Sequence, residues 1–241
     1  MIPLKDDLPH RRFPLGTVGL IGVNLLTFLW EIGSGDPRRF EFVLNAYGAI
    51  PWRMTHLLLT ARSGVFPPLA SVFSSMFLHG SVAHLAGNIL FLWVFGRSIE
   101  DAMGTPRFLG FYFLSGISAA ATQVAMMPSS HLPMVGASGA IAGVLGAYFM
   151  FFPRQRVLTL IPIFVFIRLV YVPAAIFLGL WFLMQLFAIP QALGGGAGVA
   201  FLAHVGGFVS GLVLARVFSR GLPPPVPSGR QQQRLSFPAA Y

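Results

Sequence analysis

The chain has 241 residues, of which 55% are hydrophobic and only 10% charged, with a mean hydropathy of +0.74. A soluble domain carries about 25% charged residues, so a water-soluble globular class is excluded and an integral membrane protein of roughly six spans fits the length. The formal net charge of +9 would suggest nucleic acid on a soluble protein, but here it reflects Lys and Arg on non-translocated loops beside few acids, and no nucleic-acid role is read from it. The absence of cysteine excludes disulfides, thiol catalysis and Cys-based metal sites.

Six apolar segments follow in order, at about 13–30, 81–96, 108–127, 136–152, 172–189 and 199–218. Each fits a helix crossing a hydrocarbon core about 30 Å thick, some with help from flanking residues. Helices are required because lipid offers no partner to an unpaired backbone group. The first run follows Lys5, Arg11 and Arg12 and is not trailed by a small-x-small cleavage pattern, so it is read as a retained span rather than a signal peptide.

Basic residues orient the spans. Lys5, Arg11 and Arg12, then Arg97 and Arg107, then Arg154, Arg156 and Arg168, then Arg216, Arg220, Arg230 and Arg234 all fall on one side if residues 1–12 are a cytoplasmic N-terminus. Loops 128–135 and 190–198 hold no Lys or Arg, as outer loops should. The long loop 31–80 carries Arg38, Arg39, Arg53 and Arg62, and long loops obey the rule weakly. Its apolar clusters at 40–46 and 55–59 predict short interfacial helices. The Pro- and Gln-rich segment 221–241 reads as a disordered cytoplasmic tail, leaving 13–220 as one membrane domain.

Spans 2, 4 and 6 then run in the same direction, from outside to inside. His84 lies about three residues into span 2 and Asn88 one turn further. Ser138 lies two residues into span 4, and His204 about five into span 6. At about 1.5 Å per residue, all four fall within roughly 3–12 Å of the outer interface. His84 and Asn88, at i and i+4, share a helix face and can donate to a developing oxyanion, or can simply satisfy each other or a neighbouring helix.

Ser138 admits two readings as well. Gly136-Ala137-Ser138-Gly139-Ala140 is a packing pattern, with Gly139 and Gly143 spaced as GxxxG and a second small stripe at Ala203, Gly207, Gly211 and Ala215. The same stripes would let two backbones approach until Ser138 Oγ reaches His204, about 2.6–3.2 Å away, which would then act as its general base. No acid follows Asp101, and Glu100 and Asp101 fall at the opposite face. The sequence therefore permits a Ser-His dyad, not a Ser-His-Asp triad. Ala140 departs from the Gly-x-Ser-x-Gly elbow. His79, His84 and His204 lack a His-Glu-x-x-His helix or a nearby carboxylate, so no metal is assigned. His79 is read as tying the first loop to span 2, and His56 and His131 as loop residues.

At these residues the chain resembles the rhomboid family of intramembrane serine proteases, in its compact six-span bacterial form. The likeness runs from about Phe13 to Phe218. It rests on His84-Leu-Ala-Gly-Asn88, on Phe95-Gly96-Arg97-Ser98-Ile99-Glu100-Asp101 with Gly104 and Arg107-Phe108, on Gly136-Ala-Ser138-Gly-Ala-Ile-Ala-Gly143, and on Ala203-His204-Val-Gly-Gly207. The resemblance implies an all-α membrane protein, a six-transmembrane-helix bundle of rhomboid type. It implies Ser138 as nucleophile and His204 as general base, with His84, Asn88 and the Ser138 backbone N–H as the oxyanion hole. The implied reaction is hydrolysis near the outer end of a transmembrane protein substrate, without metal or cofactor, in the plasma (bacterial inner) membrane with both termini cytoplasmic. Span 5 and loop 190–198, with Gly194, Gly195, Gly196 and Gly198, become the gate and cap.

Two positions depart from the family. A Trp-Arg pair found in some members before the His79-type histidine is Ala70-Ser71 here, and Trp52-Arg53 is out of register. An aromatic that some members carry one turn after the serine, packing on the catalytic histidine, is Ala142 here, leaving open what orients His204. A catalytically inactive client-binding scaffold is the alternative; such relatives usually lack the serine or the histidine, and both are present. A channel or transporter would want charges or broken helices at mid-membrane. Nothing in the sequence specifies an oligomer.

Overall fold

The computed structural model describes residues 1–57, 66–163, 166–193 and 200–220. Among the described residues, four helices are long and apolar enough to cross a membrane. They are α1 (Leu15–Ile32); the continuous span Val82–Met103, made of α5 (Val82–Phe91), a π-helical turn at Leu92–Gly96 and α6 (Arg97–Met103); α7 (Thr105–Met126); and α10 (Phe201–Phe218). Two further apolar helices join them, α8 (Ser138–Phe151) and α9 (Ala174–Leu193), the apolar part of the latter running over Ala174–Pro190. The expected helical membrane bundle is thus present, with a helix over each of the apolar segments.

Helix α8 is its axis. Every side chain from Ala140 to Tyr148 is buried, so the segment is apolar all round, as a helix enclosed by others must be. Tyr112 of α7, Tyr148 of α8, Phe95 of the π turn and Phe177 of α9 fill the space around it without exposure beyond 1%. The outer surface is equally apolar. Leu15, Leu26 and Leu29 on α1, Met184 and Phe187 on α9, and Val213 on α10 are all exposed. That is the inside-and-out hydrophobicity of a bundle solvated by lipid.

The small-residue stripes bring α8 and α10 into backbone contact. A Cβ on Gly207 would collide with the carbonyl oxygen of Gly139, and one on Gly211 with that of Gly143. Gly146 in turn faces the Phe208 carbonyl. Only hydrogen at these positions permits this approach.

The first loop forms short helices, α2 (Pro37–Tyr47) over the apolar cluster at 40–46, then α3 (Pro51–Thr55) and α4 (Pro68–Ser75), while the cluster at 55–59 runs outside the described residues. Asp36 caps α2 by accepting the Arg38 N–H, with Pro37 in the first turn. Trp52 is stacked between His56 and His131, at centroid distances of 4.6 and 5.0 Å, which ties this loop to the segment before α8.

A three-stranded antiparallel sheet is an addition the sequence reading lacked. Strand β1 (Ile2–Asp6) pairs with β2 (Arg156–Ile163), and β2 with β3 (Phe166–Pro173). It occupies segments read as a cytoplasmic N-terminus and a basic loop. Asp6, buried at the end of β1, accepts from Arg97 Nη2 at 3.1 Å, from Tyr148 Oη at 3.1 Å and from Ser98 Oγ. Glu100 accepts from the Gly16 and Thr17 N–H groups, both at 2.7 Å, and from the Thr17 and Thr105 hydroxyls. It thereby caps the start of α1 from the far end of the Val82–Met103 span. Of the loop 190–198 read as a cap, 190–193 are instead the last turn of α9; the remainder, and the tail at 221–241, lie outside the described residues.

Candidate active site

Ser138 is the first residue of α8, and its N-cap position is Ala137, which has no side-chain oxygen to offer. The leading N–H groups of a helix have no intrahelical partner. An alanine cap therefore leaves the Ser138 amide and the positive end of the helix dipole open to a developing negative charge. Gly136, just before it, has φ +116° and donates its N–H to the Ser75 carbonyl at 2.8 Å. A Cβ there would lie 2.6 Å from His84 Nε2 and 3.4 Å from Asn88 Nδ2. Glycine is thus needed twice over, for its conformation and for the space that lets both side chains come up to the Ser138 turn.

The close crossing of α8 and α10 sets the central pair. Ser138 Oγ lies 2.8 Å from His204 Nε2, across 66 positions of sequence. The other ring nitrogen, Nδ1, lies 2.8 Å from Gln185 Oε1 on α9. The Gln185 amide nitrogen donates to the Trp181 carbonyl at 3.2 Å, so its oxygen is the atom that faces His204. A carbonyl oxygen only accepts, so the proton sits on Nδ1 and the Nε2 lone pair is left for the Ser138 hydroxyl. Trp181, one turn before Gln185, packs its ring 6.0 Å from the imidazole. Gln185 and Trp181 do what Ala142 cannot: they hold the ring.

The second histidine site is built the same way. His79 Nδ1 lies 3.1 Å from the Phe77 carbonyl, which fixes its proton there, and Nε2 accepts from Asn88 Nδ2 at 2.9 Å. The His79 backbone N–H is itself held by the buried Glu31 carboxylate, at 3.1 and 3.2 Å from its two oxygens. The Asn88 amide is therefore fixed with nitrogen, not oxygen, toward the space beside Gly136. The His84 ring stands edge-on to His79, 5.2 Å between centroids. Burial pushes the His79 imidazole down to about 4, with the neighbouring His84 adding to the shift, so it stays neutral and keeps its acceptor.

All four residues predicted for the site are brought to one place; Ser138 and His204 pair as the sequence suggests, whereas Asn88 finds a different partner. Asn88 pairs with His79, not with His84. Sequence reasoning missed Gln185, Trp181 and Gln123, whose side-chain oxygen accepts the Ala203 N–H at 3.2 Å beside His204. A signal for Gln185 was present: it is the one amide or charged side chain between Ala174 and Pro190.

Fold and site together define a multi-pass helical membrane protein that carries a hydrogen-bonded Ser-His pair between two of its helices. Residues 68–221 match the rhomboid domain, and the chain belongs to the rhomboid family. It is 26% identical over 230 residues to "Rhomboid protein 1, mitochondrial" of Saccharomyces cerevisiae, covering 83% of this chain and 57% of the relative. It is 46% identical over 70 residues to "Rhomboid protease GluP" of Bacillus subtilis, covering 29% of this chain and 13% of that protein. With "Presenilin-associated rhomboid-like protein, mitochondrial" of Homo sapiens it shares 30% identity over 152 residues, 61% of this chain and 36% of the other. The chain thus spans little more than half of the first of these relatives and less of the others.

Proposed function

We propose that this chain is an intramembrane serine endopeptidase, hydrolysing peptide bonds at or near the outer end of a substrate's transmembrane segment. The observation that carries the reading is the 2.8 Å contact between Ser138 Oγ and His204 Nε2, with the base tautomer already set from behind. Membership of a family with a relative named as a protease supports it.

Nε2 of His204 takes the Ser138 proton as Oγ attacks the scissile carbonyl carbon. The tetrahedral oxyanion is received by the Ser138 N–H, His84 and Asn88. His204 then protonates the departing amine nitrogen, leaving an ester on Ser138. Water, deprotonated by His204, attacks that ester, and the returned proton restores Ser138. No carboxylate takes part, so the imidazolium formed in each half is stabilised by the Gln185 amide dipole rather than by a full charge.

The distribution of Lys and Arg supports cytoplasmic termini, a site open to the outer side, and 13–220 as the catalytic domain with 221–241 as a tail. The plasma (bacterial inner) membrane is the proposed location, although two of the three relatives named above are mitochondrial by name. Helix α8 has 14 residues and is about 21 Å long, against a core of about 30 Å. With its last turn at the inner boundary, Ser138 is recessed about 9 Å from the outer one, a depth suited to an unwound end of a transmembrane segment.

A reporter with a single transmembrane segment, reconstituted with the protein in vesicles, tests the assignment. The native chain cleaves it, and Ser138→Ala and His204→Ala insert and fold but do not. An inactive client-binding scaffold would bind the reporter without cleaving it.

A further inference from the structure

The dyad has a third member on a different helix, and it is not an acid. We propose that Gln185 is the positioning residue of the Ser138–His204 pair, so that the nucleophile is competent only while α9 is seated against α10. The inference rests on the protease reading of the same site.

Three observations carry it. First, Gln185 is nearly buried, at 8% exposure, in a helix whose other face, at Ile176, Leu180, Leu183 and Phe187, is exposed. An amide in that setting must be spent on hydrogen bonds, and both of its ends are: the nitrogen on the Trp181 carbonyl, the oxygen on His204 Nδ1. Second, the Trp181 carbonyl decides which end faces the ring and therefore which nitrogen of His204 is basic. With the amide reversed or absent, nothing would hold the proton on Nδ1, and the tautomer with Nε2–H cannot accept from the serine. Third, the residues that seat α9 on α10 flank this contact: the Phe182 ring is stacked on Phe208 at 4.6 Å, and Trp181 lies 6.1 Å from the same ring.

A displacement of α9 by about 1 Å stretches a 2.8 Å bond beyond hydrogen-bonding range. The helix through which a substrate would pass is therefore also the helix that arms the base. Gln185 touches neither the serine nor the position of a scissile bond; it acts through His204.

A small soluble fluorophosphonate, which phosphonylates an activated serine with loss of fluoride, reads nucleophile competence without requiring passage of a transmembrane substrate. The full chain in detergent micelles is labelled at Ser138, and Ser138→Ala is not. Gln185→Met, nearly isosteric but without the acceptor, should lower the labelling rate about 10- to 100-fold, the loss expected for one hydrogen bond to a buried group. Its loss of reporter cleavage should fall in kcat with KM unchanged. Gln185→Glu, which keeps an acceptor at the same reach, should restore labelling to within a few-fold of native. Native-rate labelling of Gln185→Met, or equal loss in the Met and Glu variants, overturns the positioning role while leaving the protease reading intact. Labelling that survives in Ser138→Ala overturns the protease reading itself.

Discussion

In the proposed protease, the chemistry at Ser138 rests on side chains that do not themselves touch the substrate. His79 sets the amide of Asn88, Gln185 sets the ring of His204, and a backbone carbonyl fixes each of them in turn. Removing either proposed oxyanion donor, His84 or Asn88, should be felt in turnover. His84→Ala or Asn88→Ala should lower kcat by about 10²–10³, roughly 2.7–4 kcal/mol each if each is a full oxyanion donor. A loss of folding with no separable loss of turnover would make that pair structural. His79 also carries a pH signature. Its folded value is about 4 against an ordinary value near 6.5, so the unfolded chain binds the extra proton between those limits. Its contribution to stability is complete above about pH 6.5 and falls away as pH drops toward 4, and the difference in denaturation midpoint between the native chain and His79→Gln across that range isolates it. At this scale the sequence is informative about identity but not about pairing. Ser138, His84, Asn88 and His204 stand out as polar residues at one depth, whereas the Asn88–His79 and His204–Gln185 contacts span 9 and 19 positions and depend on how helices rotate about their axes.

Among the elements, α8 and α10 decide whether a site exists. Their glycines give up side-chain packing for backbone contact, and the contact sets the 2.8 Å between serine and histidine. Gly211→Val forces a side chain toward the Gly143 carbonyl, so it should destabilise by about 1–3 kcal/mol and cut serine labelling more than the stability loss alone explains. Thermal midpoint and labelling rate on the same sample separate the two effects. These stripes were readable as GxxxG-like spacing because their period matches the helix. Helix α9 was harder: its pattern marks a span but not which face Gln185 takes. The strands were missed because Val157-Leu158-Thr159-Leu160-Ile161 lies among arginines and next to a span, where a run of β-branched residues reads as part of a loop.

For the whole molecule, the polar clusters away from the site act as fasteners. Asp6 ties β1 to the inner end of the Val82–Met103 span and to α8 through Arg97, Ser98 and Tyr148, so the sheet and the bundle are one unit. Burial raises its carboxyl, but hydrogen bonds with His10 and Ser98 and the Arg97 charge outweigh this and hold it below the usual carboxylate range. That stability is present above the unfolded value near 3.9 and is lost as pH falls through the lower folded value. Asp6→Ala leaves the largely buried Arg97 guanidinium, which lies 5.3 Å from the Trp93 ring, without its carboxylate and should cost about 3–5 kcal/mol, seen as an earlier unfolding transition with the dyad geometry unchanged in the folded fraction. Composition alone placed this chain in a membrane, because a surface as apolar as its core has no other stable solvent.

The most direct test of the central claim is cleavage of a single-span reporter in vesicles by the native chain, Ser138→Ala and His204→Ala side by side. The account predicts fragments from the native protein alone, with the cut at the end of the reporter span nearest the Ser138 turn. Undiminished cleavage by folded Ser138→Ala would contradict it.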